Sequence, residues 1–262
     1  MRKIIRYAKV WWLMSRNSFT SMLSQKLGAM ILLTGKLLRF GFFVVSIFFL
    51  LVNTKFLAGY NLNQTVFFFL TFNLVDIISQ FLFREVYRFR PLVVSGGFDL
   101  VMTKPLSPLF RSLMGGADLL DLITIPPLIF AIFYVGKMLN PTFLHSLFYI
   151  LLLVNGLLLA AAFHIAILAL GIITLEIDHT IMIYRDLSSL ARFPVDIYRE
   201  PMKGILTYFI PIGIMITLPA KALFGLVSLA GVVWSISLGL ISIYLAVKFW
   251  NFALTKYTSA SS

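Results

Sequence analysis

Two carboxylates three residues apart, Asp118 and Asp121, are the clearest candidates for chemistry in this 262-residue chain. On a helix that spacing puts both on one face, one turn apart. A membrane-embedded enzyme could use such a pair. A lone i,i+3 acidic pair is nevertheless weak ground for catalysis. The favoured reading sets both near the end of a transmembrane helix, facing water or basic partners. Other catalytic arrangements are missing. Gly28–Lys36 reads GAMILLTGK, but its glycines are wrongly spaced for a phosphate loop. Leu37 also stands where the magnesium-holding hydroxyl would be. The chain therefore has no ATP site of that kind. Neither H-E-x-x-H nor G-x-S-x-G occurs. There is no cysteine, and His145, His164 and His179 are scattered, so no metal site is expected.

The elements that would position these residues are apolar. Hydrophobic residues make up 60% of the chain against about 45–50% in soluble domains, mean hydropathy is +0.96, and 26 residues are Phe. Lipid must be part of the solvent. The net charge of +12 does not point to nucleic acid. Its cations flank apolar runs, where topology signals and anionic lipid contacts place them.

Residues 1–26 alternate Arg2, Lys3, Arg6, Lys9, Arg16 and Lys26 with Ile4, Ile5, Trp11, Trp12, Phe19 and Met22 at helical spacing. This predicts an amphipathic helix on the membrane surface. With no short apolar core leading to a small-x-small cleavage site, the segment is expected to stay on the mature protein. Apolar spans follow around Phe40–Val52 (with Leu27–Leu38 as lead-in), Gln64–Phe83 with Asp76 inside it, Ser112–Val135 with Pro126–Pro127, Phe143–Leu175, and Gly225–Trp250. A further span lies within 171–223. The expected fold is all-α and integral to the membrane, a single domain over 1–262 with about six transmembrane helices.

Of the 22 Lys and Arg, 15 lie in the N-terminal segment through Arg39, in Arg84–Arg111 and at the C-terminal end. Short intervening loops carry Lys55 and Lys137. Both termini are therefore expected in the cytoplasm. Residues 171–223 allow two paths. Glu176–Lys203 could be a cytoplasmic loop before a span at Ile205–Leu223. Alternatively, Ile172–Arg192 crosses despite its charges, and Phe193–Phe224 forms a broken, re-entrant hairpin on the outer side. Hydropathy leans to the first, because buried ionisable groups are costly.

The segment Ser95-Gly-Gly-Phe-Asp-Leu-Val-Met-Thr-Lys-Pro-Leu-Ser-Pro-Leu109 resembles a signature of ABC-2-type transporter permeases, in the branch long catalogued as a domain of unknown function. Gly96, Asp99, Lys104, Pro105, Leu106, Ser107 and Pro108 match, while Met102 replaces the usual Leu. Arg192–Arg199, Tyr208–Ile212 with Leu218–Ala220, and the ending Tyr257–Ser262 match in order, so the resemblance covers essentially the whole chain.

That resemblance implies a permease subunit with no catalytic residues of its own. Loop 84–111 would dock on a separate cytoplasmic ABC ATPase through Gly96, Gly97, Asp99, Leu100, Lys104, Pro105 and Leu106. Two such ATPases would hold ATP and magnesium, and this chain would bind no cofactor. A second permease, identical or related, would complete the complex in a bacterial inner membrane. The resemblance also implies the outer hairpin at 193–224, shaped by Phe193, Pro194, Pro211 and Pro219. Candidates for the transport path are Asp76, Asp118, Asp121, Asp178 and Arg185. Gly231, Ser235 and Gly239 form a small-xxx-small face for helix packing, within or between subunits. Export of an amphipathic substrate is the expected function. A gradient-driven carrier is the rival, although no internal repeat of the kind such carriers often show is evident.

Overall fold

A computed structural model describes residues 2–54 and 56–258. Lys55 and Ser259–Ser262, to which the sequence assigns a loop cation and the end of the last motif, lie outside the described residues, as do the side chains of Arg2 and Lys3. The described chain is helical, and its one strand-like feature is an isolated antiparallel bridge between Leu57 and Tyr60.

Helix α1 (Arg2–Ser24) breaks at Gln25 and passes into α2 (Lys26–Thr54), so the lead-in and first span are one helix. At 29 residues α2 is about 43 Å long, ample for a bilayer. Helix α3 (Leu62–Phe83) starts on a capping box. The Asn61 carboxamide accepts the Gln64 N–H, and the Gln64 carboxamide accepts the Asn61 N–H, both at 3.0 Å. A 3-10 turn at Arg84–Arg88 and helix α4 (Phe89–Val94) prolong α3, so the apolar stretch runs from Leu62 to Val94, beyond the expected end at Phe83.

Short helices α5 (Gly97–Met102) and α6 (Pro108–Leu113) precede α7 (Leu119–Met138). The sequence places the start of this span near Ser112, but the chain breaks between α6 and α7. Close contacts explain the break. A Cβ on Gly115 would overlap the Glu85 carboxylate, and one on Gly116 would come within 2.9 Å of Ser18 in α1. Asp118 then caps α7 by accepting the Leu120 N–H at 2.8 Å. Pro126 and Pro127 sit inside α7 without ending it.

Helix α8 (Phe143–Thr174) is the central column, packed most extensively against α12 (Leu229–Thr255). It ends at Leu175, whose φ of 59° is rare for a bulky residue. Helix α9 (Ile177–Ser189) begins beside α4, where Arg90 pairs with Asp178 at 3.5 Å. After 3-10 turns at Leu190–Arg192 and Val195–Ile197, Asp196 accepts a hydrogen bond from Tyr60, at the opposite end of α3. The chain therefore runs the length of the bundle between Asp178 and Asp196.

A bent pair follows. Helix α10 (Met202–Gly204) and a π turn at Ile205–Phe209 form one limb. A π turn at Gly213–Thr217 and helix α11 (Leu218–Leu223) form the other, inclined at 77°. Among the described residues, five helices are long and apolar enough to cross a membrane, or six if the bent pair counts as one span. Large apolar side chains remain exposed along α2, α7 and α12, including Phe42, Phe49, Phe130, Phe133, Trp234 and Leu245, as expected of helices whose solvent is lipid.

Candidate functional site

Between α2, α3, α7 and α9 lies a cavity of about 320 Å³. Its walls are apolar and aromatic, with Phe40 and Phe43 from α2, Phe69 and Phe72 from α3, and Leu128 and Ala131 from α7. Into it project Lys36, Arg39, Asn73, Asp76, Gln80, Asp121, Thr124, Arg185 and Arg192. Three of the path candidates, Asp76, Asp121 and Arg185, are thus brought together from three different helices. Lys36, Arg39 and Arg192 join them. In the sequence Lys36 and Arg39 count only among the cations that orient the chain in the membrane. The available signal was their i,i+3 spacing beside Phe40 and Phe43, which sets cations and rings on adjoining faces.

The other two path candidates sit elsewhere. Asp118 pairs with Arg84 at 3.2 Å while capping α7, and Asp178 pairs with Arg90 outside the cavity. The Asp118–Asp121 pair is divided in the same way, because Asp121 binds Lys36. Each carboxylate serves a different cation, which gives no shared reactive centre. Asp76 accepts a hydrogen bond from Gln80 at 2.9 Å. His179 faces Glu176 at 3.6 Å, and Arg185 lies over the Tyr87 ring at 5.9 Å.

At the α4–α6 end, the signature segment folds into α5 and its flanking turns. Gly96 is the N-cap, with φ 73°, a conformation that favours glycine. Asp99 therefore lies in the first turn of α5. Phe98 is fully buried against Phe89, Trp250 and Tyr257, so α5 is rooted in the base of α12. Burial, with the adjoining Asp99 carboxylate, pushes the Tyr257 hydroxyl up to about 12. Leu100, Met102, Lys104 and Pro105 are exposed, and Leu106 is half-buried. Helix α1 braces this segment. Arg6 donates to the Pro105 carbonyl at 2.8 Å, and the Tyr7 hydroxyl accepts the Ser107 N–H at 3.0 Å. Beneath, Glu85 binds Arg111 and lies 3.9 Å from Arg88.

At the Tyr60 end, Asp196 ties three partners together. It accepts from Tyr60 at 2.9 Å and Lys221 at 3.0 Å, and pairs with Lys203 at 2.8 Å. Burial alone would raise its carboxyl, but the two lysines outweigh burial and hold it below the usual carboxylate range. The tie joins the α2–α3 loop to both limbs of the bent pair. Phe193 packs on Phe43 at 5.3 Å, Pro194 precedes the 3-10 turn, Pro211 sits at the bend, and Pro219 opens α11.

Within the bundle, Asn155 of α8 donates to the Ser235 carbonyl and hydroxyl at 2.9 and 3.0 Å, and its carboxamide fills the space left by Gly239. Ser235 and Gly239 thus pack α12 inside this subunit. Gly231 is only half-buried.

Long apolar helices with uncovered apolar faces, joined around a charged cavity, define a multi-pass membrane protein. The chain belongs to the ABC-2 family of transporter permeases: a family model described as "ABC-2 family transporter protein" matches residues 37–261. The match begins within α2 and leaves α1 outside it. No curated protein and no solved structure matches the chain.

Proposed function

We propose that this chain is the membrane subunit of an ATP-driven exporter whose ATP-hydrolysing subunits are separate chains. The observation that carries this reading is α5, a short helix with its buried side locked onto α12 and α4 and its other side, led by Leu100, bare. A partner pushing on the bare side would move the base of the bundle. The α4–α6 end would then face the cytoplasm together with both termini, in keeping with the cations gathered there. The bent pair would be an outer gate, tied shut by Asp196. Two permeases, each with one ATPase beneath it, would alternate between inward- and outward-open states, since ATP can shift that balance only by contacts that differ between them. The long uncovered face of α2 offers surface for the second permease. The bacterial inner membrane is the setting that the family resemblance favours.

Asp99 provides the test. Asp99→Lys is expected to insert normally but to lose substrate-stimulated ATP hydrolysis in the complex. Tyr257→Phe, which removes only a hydroxyl beside Asp99, is expected to retain it. Unchanged stimulated hydrolysis in Asp99→Lys, or equal loss in both variants, would overturn the docking role.

A further inference from the structure

We propose that the cavity binds an anionic amphiphile, a molecule with a phosphate-, sulfate- or carboxylate-type head and an apolar tail. This inference rests on the transporter reading and names the chemical class of the cargo.

The charge balance of the cavity is the first ground. Four cations, Lys36, Arg39, Arg185 and Arg192, face two carboxylates, Asp76 and Asp121. Lys36 and Asp121 neutralise each other, which leaves Asp76, hydrogen-bonded to Gln80, as the one carboxylate set against three guanidiniums, so positive charge remains in excess. Among the described residues, none of the three guanidiniums has a carboxylate within 4.0 Å. Arg192 instead lies over the rings of Phe43 and Phe72, at 6.0 and 5.8 Å. Cations inside a membrane domain are costly without partners, and their presence marks a functional site. A guanidinium presents a planar fork of donors that matches an oxyanion. A cationic ligand would add to the excess positive charge, and a neutral apolar one would strip water from guanidiniums while giving them no acceptor.

The walls supply the second ground. Phe40, Phe69, Leu128 and Ala131 give the tail an apolar surface beside the cations, and the volume lies within the range of small-molecule sites. An inorganic anion would leave that surface unused.

The test uses the full chain with its co-purifying subunits in phosphatidylcholine nanodiscs, with Thr124→Cys as the single cysteine in the cavity. Labelling by N-ethylmaleimide is timed without ATP. Dodecyl phosphate is expected to slow labelling. Inorganic phosphate and dodecyltrimethylammonium are expected to leave it unchanged at equal concentration. Adding Arg185→Gln and Arg192→Gln should raise the half-protecting concentration about tenfold or more. The matching pair of Lys substitutions should restore most of the protection, and Lys248→Gln, outside the cavity, should change nothing. Comparable ligand-free labelling rates certify that the variants are folded. Protection by phosphatidylglycerol in the disc, without dodecyl phosphate, would assign the site to a membrane lipid. Protection by dodecyl phosphate alone would assign it to a free amphiphile. Equal protection by the cationic amphiphile, equal protection by phosphate alone, or indifference to the arginine substitutions would overturn the proposal. Because binding is read without ATP, a complex that binds dodecyl phosphate but never hydrolyses ATP would refute the exporter reading and leave the anion site standing.

Discussion

Single residues decide how closely the helices approach. A Cβ on Gly156 would run into the main-chain carbonyl of Met215, which cannot yield as a side chain can. On Gly231 the nearest atom is a Val227 methyl at 3.2 Å. Gly156→Val is expected to lower stability by about 1–3 kcal/mol, and Gly231→Val by much less, in thermal unfolding of the purified protein. Asp196 yields a prediction of a different kind. Its carboxyl is held below the usual range, so the stability it contributes is present above the unfolded-state pKa of about 4 and is lost as pH falls through the lower folded value. The stability gap between wild type and Asp196→Asn should therefore stay constant from neutral pH down to about 5 and close only in stronger acid. A gap closing near neutrality would show that the lysines do not hold the carboxylate as described. At this scale the sequence is a poor guide. Nothing in the order of residues says that Asp118 and Asp121 part company, or that Arg39, Asp76 and Arg192 meet, because each contact joins helices far apart in the chain.

Elements were more legible. Apolar length alone marks α2, α3, α7, α8 and α12, because a bilayer demands about 20 apolar residues whatever the fold. The capping box at Asn61 and Gln64 is also visible in the sequence as an N-x-x-Q start. The start of α7 was misjudged because hydropathy runs on through Ser112–Gly116, while the break there is set by contacts with α1 and Glu85. Helix α9 defeated hydropathy for the opposite reason. Its charges suggest a loop, yet residues 177–189 form a helix, with the exposed Asp178 paired to Arg90 and Arg185 over the Tyr87 ring. The bent pair is compatible with either a broken span or a re-entrant loop, so both sequence-based topologies of 171–223 remain open, and the outer hairpin is the one proposed here. Because the chain has no native cysteine, single cysteines at Val195 and Ile197 can report it directly. A membrane-impermeant thiol reagent is expected to label them on intact cells. Labelling that requires the membrane to be opened would restore the loop topology.

For the molecule as a whole, the pieces form a chain of connections. Helix α5 is rooted in the base of α12, α12 packs along α8, α8 packs against the bent pair, and the cavity lies beside them between α2, α3, α7 and α9. Such packed elements can carry a push at one end to a gate at the other if the bundle has two stable arrangements. The sequence holds no phosphate loop, and the function proposed above takes the energy for that push from a separate ATPase chain. The most direct test is gentle purification of this chain from its native membranes, with mass spectrometry of what accompanies it and an assay of transport. A stoichiometric ATPase subunit, with uptake into inverted vesicles that requires ATP, is the predicted result. No ATPase under several mild detergents, together with transport by vesicles holding this chain alone that collapses with the proton gradient, would contradict it and identify a gradient-driven carrier.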